Sequence, residues 1–258
     1  MACPYCALVV KLRANSKKET VRNMADKVAV ITGGAGGLGS ALVRVFNEHA
    51  YRVVIHYHAS DAAAAALAAT LGDRALLERA DVSSYAEVAA MADRVRRQWG
   101  RVDVLLNNAG ITKDSLLVKL REEEWDRVLD VNIKGPFNAI RAFVPLMAGG
   151  GHIVNISSYS GLKGKEGQAA YSSSKAALLG LTKTAAAELA GEGIRVNAVL
   201  PGYLPTVMGE AAAAREKAKE ESLLHTLSDT LEAARFVLWL VGTGNITGQV
   251  FCLDSRII

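Results

Sequence analysis

Short β-branched runs alternate with longer stretches of helical spacing along most of the chain. Lys27–Thr32 (KVAVIT) reads as a first strand, and Ser40–Ala50 reads as a helix after a glycine-rich segment. Further strands are predicted at Arg52–Tyr57, Ala75–Ala80, Val102–Leu106, Ile153–Ile156, Ile194–Leu200 and Val250–Leu253. Helices are predicted at the alanine-rich Asp61–Leu71 and at Ser84–Trp99, with long helical stretches around Glu122–Met147 and Tyr171–Ala190. Strands that alternate with helices of about 10–20 residues make βαβ units, and repeated units make a parallel sheet covered on both faces. The strand runs are apolar throughout rather than alternating, as a doubly buried sheet requires. No solenoid-length repeat and no linker interrupts the pattern. The expected fold is α/β, a single doubly wound parallel sheet of about seven strands with helices on both faces.

Residues 1–23 do not share this pattern. MACPYCALVV is apolar, and KLRANSKKETVRN is basic and polar with no amphipathic period. Lys11, Arg13, Lys17, Lys18 and Arg22 against Glu19 give this segment +4, which is the net charge of all 258 residues. The remainder is therefore neutral overall, which argues against a general nucleic-acid or acidic-membrane surface. Half of the residues are apolar, enough for a full core. No apolar run approaches the ~20 residues of a membrane helix. The first apolar stretch is too short for an export signal and has no charged segment before it, and Arg and Ser are sparse for a transit peptide. Cys3-Pro4-Tyr5-Cys6 resembles the glutaredoxin motif but sits two residues from the start, with no strand before it to position it. A lone CxxC is also poor support for zinc, and three cysteines make no secreted disulfide framework. The expectation is a non-core extension at 1–23 and one domain at 24–258, in a soluble cytoplasmic protein with no metal site.

Two segments carry chemistry. Thr32-Gly33-Gly34-Ala35-Gly36-Gly37-Leu38-Gly39 joins the first strand to the first helix. Glycines there permit positive φ and let the backbone approach a pyrophosphate, whose charge meets the helix N-terminus, as in the Rossmann-type unit. The alternative is a plain glycine-rich turn. The second segment is Tyr171-Ser172-Ser173-Ser174-Lys175, which places Tyr and Lys four apart on one helix face. An ammonium held near a phenol favours the phenolate and lowers a pKa that is normally ~10, which suits a general acid–base. Ser158 ends the strand HIVNISS, at the carboxyl edge where open α/β sheets bind ligands.

From Met24 to Ile258 the chain resembles the short-chain dehydrogenases/reductases. The matching motifs are T-G-x-x-x-G-x-G at Thr32–Gly39, Asp81-Val82, Asn107-Asn108-Ala109-Gly110, Asn132 in DVNIKG, Ser158, Tyr171-x-x-x-Lys175 and Pro201-Gly202. The resemblance implies a catalytic set of Asn132, Ser158, Tyr171 and Lys175. Tyr171 would protonate a carbonyl oxygen that Ser158 orients, while Lys175 would bind the nicotinamide ribose and depress the tyrosine pKa. Asn132 would hold a water in the proton relay. The cofactor would lie along Gly33, Gly36, Gly37, Leu38 and Gly39, with Asp81 and Val82 at the adenine and Asn108, Ala109 and Gly110 beside it. Pro201, Gly202, Leu204 and Thr206 would border the nicotinamide. Asn107 would brace the sheet.

The end of the second strand bears on the cofactor. NAD enzymes usually place an acid there to accept from the ribose hydroxyls. This chain has Tyr57, followed by His58-Ala59-Ser60, and Asp61 is expected to cap the next helix. HYHAS is similar to the N-Y-x-x-S stretch of NADPH-dependent members, with Ser60, and His58 in place of a missing arginine, available to a 2′-phosphate. The expected cofactor is NADP(H) rather than NAD(H).

Residues 109–135 resemble most the 3-oxoacyl-[acyl-carrier-protein] reductases and acetoacetyl-CoA reductases, which implies a thioester substrate and an acyl carrier protein as a partner. Three departures stand out. Basic docking positions of the carrier-protein reductases align with Pro145 and Glu192, L-G-R-x-G-x-P becomes Leu224–Thr230, and the terminal D-G-G becomes Asp254-Ser255-Arg256. Residues 203–224 would form a substrate lid. A dehydrogenase of another secondary alcohol is the alternative activity, and a nucleotide-sensing protein without turnover is the alternative class. Trp125, Val128, Leu129, Ile133, Phe137, Ile140 and Val144 give the 122–147 stretch more apolar surface than one sheet face covers. A homo-oligomer, a tetramer as in the family, is therefore expected, with Ile257 and Ile258 buried at an interface.

Overall fold

Seven parallel strands form the sheet of the computed structural model, which describes residues 27–205 and 212–256. They are β1 (Val28–Ile31), β2 (Arg52–Tyr57), β3 (Ala75–Arg79), β4 (Val104–Asn107), β5 (Gly151–Ile156), β6 (Ile194–Leu200) and β7 (Val250–Cys252), in the order β3-β2-β1-β4-β5-β6-β7. The helices are α1 (Gly37–Glu48), α2 (Asp61–Ala69), α3 (Tyr85–Trp99), α4 (Glu122–Leu129), α5 (Gly135–Phe143), α6 (Ala169–Leu189), α7 (Ala212–Glu221) and α8 (Thr230–Val241). The doubly wound α/β architecture is the one the alternation predicts. Thr206, the 1–23 extension with Cys3 and Cys6, and the terminal Ile257 and Ile258 lie outside the described residues.

Successive residues of β1 divide between the two faces. Val28 and Val30 join Met91, Leu105, Phe143 and Ile153 under α3, α5 and α6. Ala29 and Ile31 join Leu42, Phe46, Leu106 and Val237 under α1 and α8. Local signals set the helix ends. Ser84 caps α3, its hydroxyl accepting from the Glu87 N–H, and Gly100 closes that helix at φ +74°.

The structure departs from the sequence expectations at three places. The strands are not apolar throughout: His56, Glu78, Asn107, His152, Asn155 and Asn197 are all buried. Each has a polar partner, which is what makes burial affordable. Asn107 donates to Asn155 (2.8 Å) and Asn155 to Thr182 (2.9 Å), so a side-chain chain fastens β4 and β5 to α6, the bracing expected of Asn107. Asp61 is the first residue of α2 rather than its cap; Ser60 holds the cap position, and the Asp61 carboxylate only complements the helix dipole. The 122–147 stretch is interrupted by a π turn at Asp130–Lys134. Pro136 has no N–H to give the carbonyl four residues upstream, which is that of Asn132, and the widened turn falls there.

Candidate active site

Strand order reverses between β1 and β4, and a crevice at the carboxyl ends of such neighbours is where open α/β sheets take ligands. A cleft of about 1480 Å³ lies there, larger than the roughly 300–1,000 Å³ of a small-ligand pocket. The glycine loop forms its floor. Gly33 has φ +64°, and a Cβ on it would lie 2.9 Å from the Ala109 Cα, so β1 and β4 approach as closely as two backbones can. Thr32 locks this seam. Its hydroxyl donates to the Leu106 carbonyl and accepts from the Asn108 and Ala109 N–H groups at 2.9 and 3.0 Å. The Asn108 amide donates back to the carbonyls of Thr32 and Gly33. Gly36 caps α1 without any side-chain bond. The first amides of that helix are thus left for a ligand's anion, and the cradle fits a dinucleotide pyrophosphate.

The edge beyond β2 is held by His56, which the sequence reading passed over. Its Nδ1 accepts from the Gly33 N–H at 3.0 Å, so Nε2 carries the proton and donates to the Ala80 carbonyl at 2.9 Å. One ring therefore ties the glycine loop to the end of β3. Burial pushes its pKa below the usual histidine value, and the bond accepted from Gly33 needs the neutral ring. The only signal in the sequence was a histidine inside an otherwise apolar strand. Asp81 follows Ala80. Burial would raise its carboxyl pKa, but two bonds from Ser83 and the Arg127 guanidinium at 3.1 Å outweigh that and hold it below the usual range. His58 stands 3.9 Å from the same carboxylate, and the Arg79 Nε donates to the His58 carbonyl at 3.2 Å. Arginine is thus present beside the β2 terminus, contributed by β3, where reading β2 alone found none.

The other end of the cleft holds Ser158, Tyr171 and Lys175. Ser158 follows β5, and the hydroxyl of the preceding Ser157 donates to the Lys175 carbonyl at 2.8 Å, fixing the strand end against α6. Tyr171 is hydrogen-bonded to Ser158. The buried Lys175 directs its Nζ to the Ile156 carbonyl (2.8 Å), 5.7 Å from the centre of the Tyr171 ring. Burial lowers the Lys175 pKa to about 8. It raises that of Tyr171, opposed by the Ser158 bond and assisted by the Asp114 charge. The sequence expectation was a phenol depressed by lysine. In this cleft desolvation is the largest influence on Tyr171 and raises its pKa.

Asn132 lies fully buried behind this group. Its Oδ1 accepts from the Ile111 N–H at 2.8 Å, and its Nδ2 donates to the Ile111 carbonyl and to Ser174. The side chain is committed to holding the segment after β4.

The structure brings the expected residues together. Gly33, Gly36, Gly37, Leu38, Gly39, His58, Ser60, Asp81, Val82, Asn108, Ala109 and Gly110 line the cleft, with Ser158, Tyr171, Lys175, Pro201, Gly202 and Leu204. Asn132 stands one layer behind, in reach of Gly110, whose added Cβ would lie 3.3 Å from its Oδ1. Among the described residues no cluster of three or more His, Cys, Asp or Glu is placed to hold a metal ion. No described helix is long and apolar enough to cross a membrane.

Known proteins resemble this chain in sequence. Residues 27–217 match the short chain dehydrogenase family. The chain is 39% identical over 246 residues to the 3-oxoacyl-[acyl-carrier-protein] reductase FabG of Thermotoga maritima, a match covering 90% of this chain and 98% of that one. It is 42% identical over 202 residues to the protein of that name from Staphylococcus aureus strain N315, covering 76% of this chain and 81% of that one. It is 37% identical over 240 residues to the 3-oxoacyl-[acyl-carrier-protein] reductase of a Synechocystis species, covering 90% of this chain and 97% of that one. The chain belongs to the short chain dehydrogenase family, oxidoreductases that work with a nicotinamide cofactor.

Proposed function

We propose that this protein reduces the 3-keto group of a 3-oxoacyl thioester to the 3-hydroxy form, with NADPH as reductant. The observation that carries the reading is the Ser158–Tyr171 pair at one end of the cleft, with a protonated phenol beside the buried Lys175. When bound, the nicotinamide supplies hydride to the carbonyl carbon. Tyr171 gives its phenolic proton to the carbonyl oxygen, and Ser158 orients that oxygen by a hydrogen bond. Lys175 holds the nicotinamide ribose and, through its charge, favours the phenolate left behind. Asn132 would hold a water that returns the proton. At the far end the glycine loop, with Gly36, Gly37, Leu38 and Gly39 lining the cleft, would hold the pyrophosphate.

NADPH is favoured over NADH by the absence of an acid at the end of β2 and by the groups found there instead. Tyr57, His58, Ala59 and Ser60 occupy the position, Asp61 is drawn into α2, and Arg79 lies alongside. The names of the relatives support the thioester and make an acyl carrier protein the first partner to test. We further propose a homo-oligomer, a tetramer, in the cytoplasm. Phe137 and Tyr85 are exposed on the outer faces of α5 and α3, with the Arg141 guanidinium 4.5 Å over the Tyr85 ring, and Trp239 is exposed on α8. The 24–258 unit is taken as the catalytic domain.

Assaying acetoacetyl-CoA and acetoacetyl-carrier-protein with NADPH and with NADH tests the reading. Turnover of at least one thioester, with kcat/KM higher for NADPH, is expected. Activity confined to simple alcohols or sugars would replace the substrate assignment.

A further inference from the structure

The substrate side of the cleft is walled by α7, which is poorly equipped to hold itself in place. Its sequence, AAAREKAKEE, has no apolar stripe, and Ala218 is its one residue in the buried apolar core among those described. Yet Lys217, Ala218 and Glu221 face into the cleft. Polar contacts from the segment after β7 hold the helix end instead. The Ser255 hydroxyl bonds that of Ser222, and the Leu223 N–H donates to the Ser255 carbonyl at 3.3 Å. Arg256 completes the attachment. Its Nε and Nη2 both bond Asp254, its Nη1 lies 3.5 Å from Glu221 of α7, and its Cζ sits 4.1 Å over the Tyr159 ring. The guanidinium is only 10% exposed although it borders the cleft.

We infer that Arg256 is a positioning residue for the carbonyl site: it latches α7 to Tyr159, the neighbour of Ser158, and so sets the wall against which the substrate's acyl portion rests. Arginine suits this place because one planar group meets a carboxylate with two donors, stacks on an aromatic face and reaches a second carboxylate. Lysine offers a point charge and does the three together badly. Two carboxylates face this single cation, so its charge is spent inside the latch and is not offered to an anionic substrate. The residue stands at the position where the chain departs from the D-G-G ending of the reductases it resembles, a sequence that has no side chain able to form such a bridge.

The inference rests on the proposed reduction for its kinetic readout but not for its structural one. Arg256→Ala, Arg256→Lys and Glu221→Gln would be compared with the full-length protein in the presence of NADPH, by hydrogen exchange over residues 212–224 and by steady-state kinetics. Arg256→Ala is expected to speed exchange in that segment and to raise KM for acetoacetyl-CoA about tenfold, the loss of one cation–π contact and one partly exposed ion pair. kcat should fall far less, and KM for NADPH should stay within about twofold. Arg256→Lys should restore part of the KM, and Glu221→Gln should shift it in the same direction by less. Unchanged exchange over 212–224 in Arg256→Ala, or a loss confined to kcat, would overturn the latch. If the parent protein turns over neither acetoacetyl-CoA nor acetoacetyl-carrier-protein, the proposed substrate is wrong, and the exchange comparison still decides whether Arg256 holds α7.

Discussion

His152 offers a test of the electrostatics in the seam between β5 and β6. The ring is enclosed, 1% exposed, and faces the Asn197 amide at 2.8 Å. The direction of that bond follows from the neighbours. Asn197 Oδ1 accepts from the Gln249 N–H and its Nδ2 donates to the Ile246 carbonyl, so the atom facing His152 is a donor and Nε2 must be a bare lone pair. Protonating the ring would set two donors against each other beside Arg195. Burial first, then the Arg195 charge, lower the His152 pKa from 6.5 to about 4. A histidine depressed in the fold takes up fewer protons there than when unfolded. Its contribution is therefore fully present above pH 6.5 and is lost as pH falls toward 4. Between pH 7 and pH 5 this linkage removes about 2 kcal/mol. Equilibrium urea unfolding of the parent protein and of His152→Gln, whose carbonyl meets the Asn197 donor without titrating, isolates the effect, because other acid-sensitive groups cancel in the difference. The parent should lose about 2 kcal/mol more than the variant over this interval. Equal losses would refute the assignment of a neutral Nδ1–H ring at this seam.

Tyr171→Phe should lower kcat by roughly 10²–10⁴-fold while NADPH affinity, read by its fluorescence, changes little, since only the proton donor is removed. Near-parent turnover would sink the acid–base assignment. His56→Leu leaves the Gly33 N–H and the Ala80 carbonyl without their partner, at a cost of about 1–3 kcal/mol. It should weaken dinucleotide binding, and His56→Asn, which keeps an acceptor, should recover part of it; identical affinities in the two variants would contradict the positioning of the glycine loop by His56. Phe46→Ala, at a fully buried ring packed edge-on against Tyr51, should cost about 3–5 kcal/mol in unfolding experiments. Light scattering at micromolar concentration should report an oligomer, and a monomer would remove the interface role given to Phe137, Tyr85 and Trp239.

What the sequence made legible was local. The β-branched runs, the glycine loop and the Tyr171–Lys175 spacing are set by residue type and by short spacings, which survive in the chain whatever surrounds them. His56, the Asn107–Asn155–Thr182 chain and the arginine of β3 beside His58 were not legible in this way. Their partners are 21 to 48 positions apart and meet only after the strands have taken their order. The π turn lies between these cases. Pro136 already deprived the Asn132 carbonyl of its donor in the sequence, yet a proline in an amphipathic stretch reads equally as a helix start.

The reversal at Tyr171 has a different origin. Spacing puts a lysine four residues from a phenol and says nothing of how much water either will see. The expectation treated charge proximity as dominant. The fold buries Lys175 and partly buries Tyr171, and desolvation then opposes the charged form of each, lowering Lys175 to about 8 and raising Tyr171. For a reductase that ordering is functional. The proton must be on the phenol when the carbonyl arrives, and a phenol held above its usual value keeps it there across the neutral range. In the proposed reaction, stabilisation of the phenolate by Lys175 would be needed only after transfer, when a cofactor ribose and a relay water would have joined the lysine. The pair would then work through a change of environment during the reaction rather than through a fixed depression of one pKa, which residue spacing alone does not reveal.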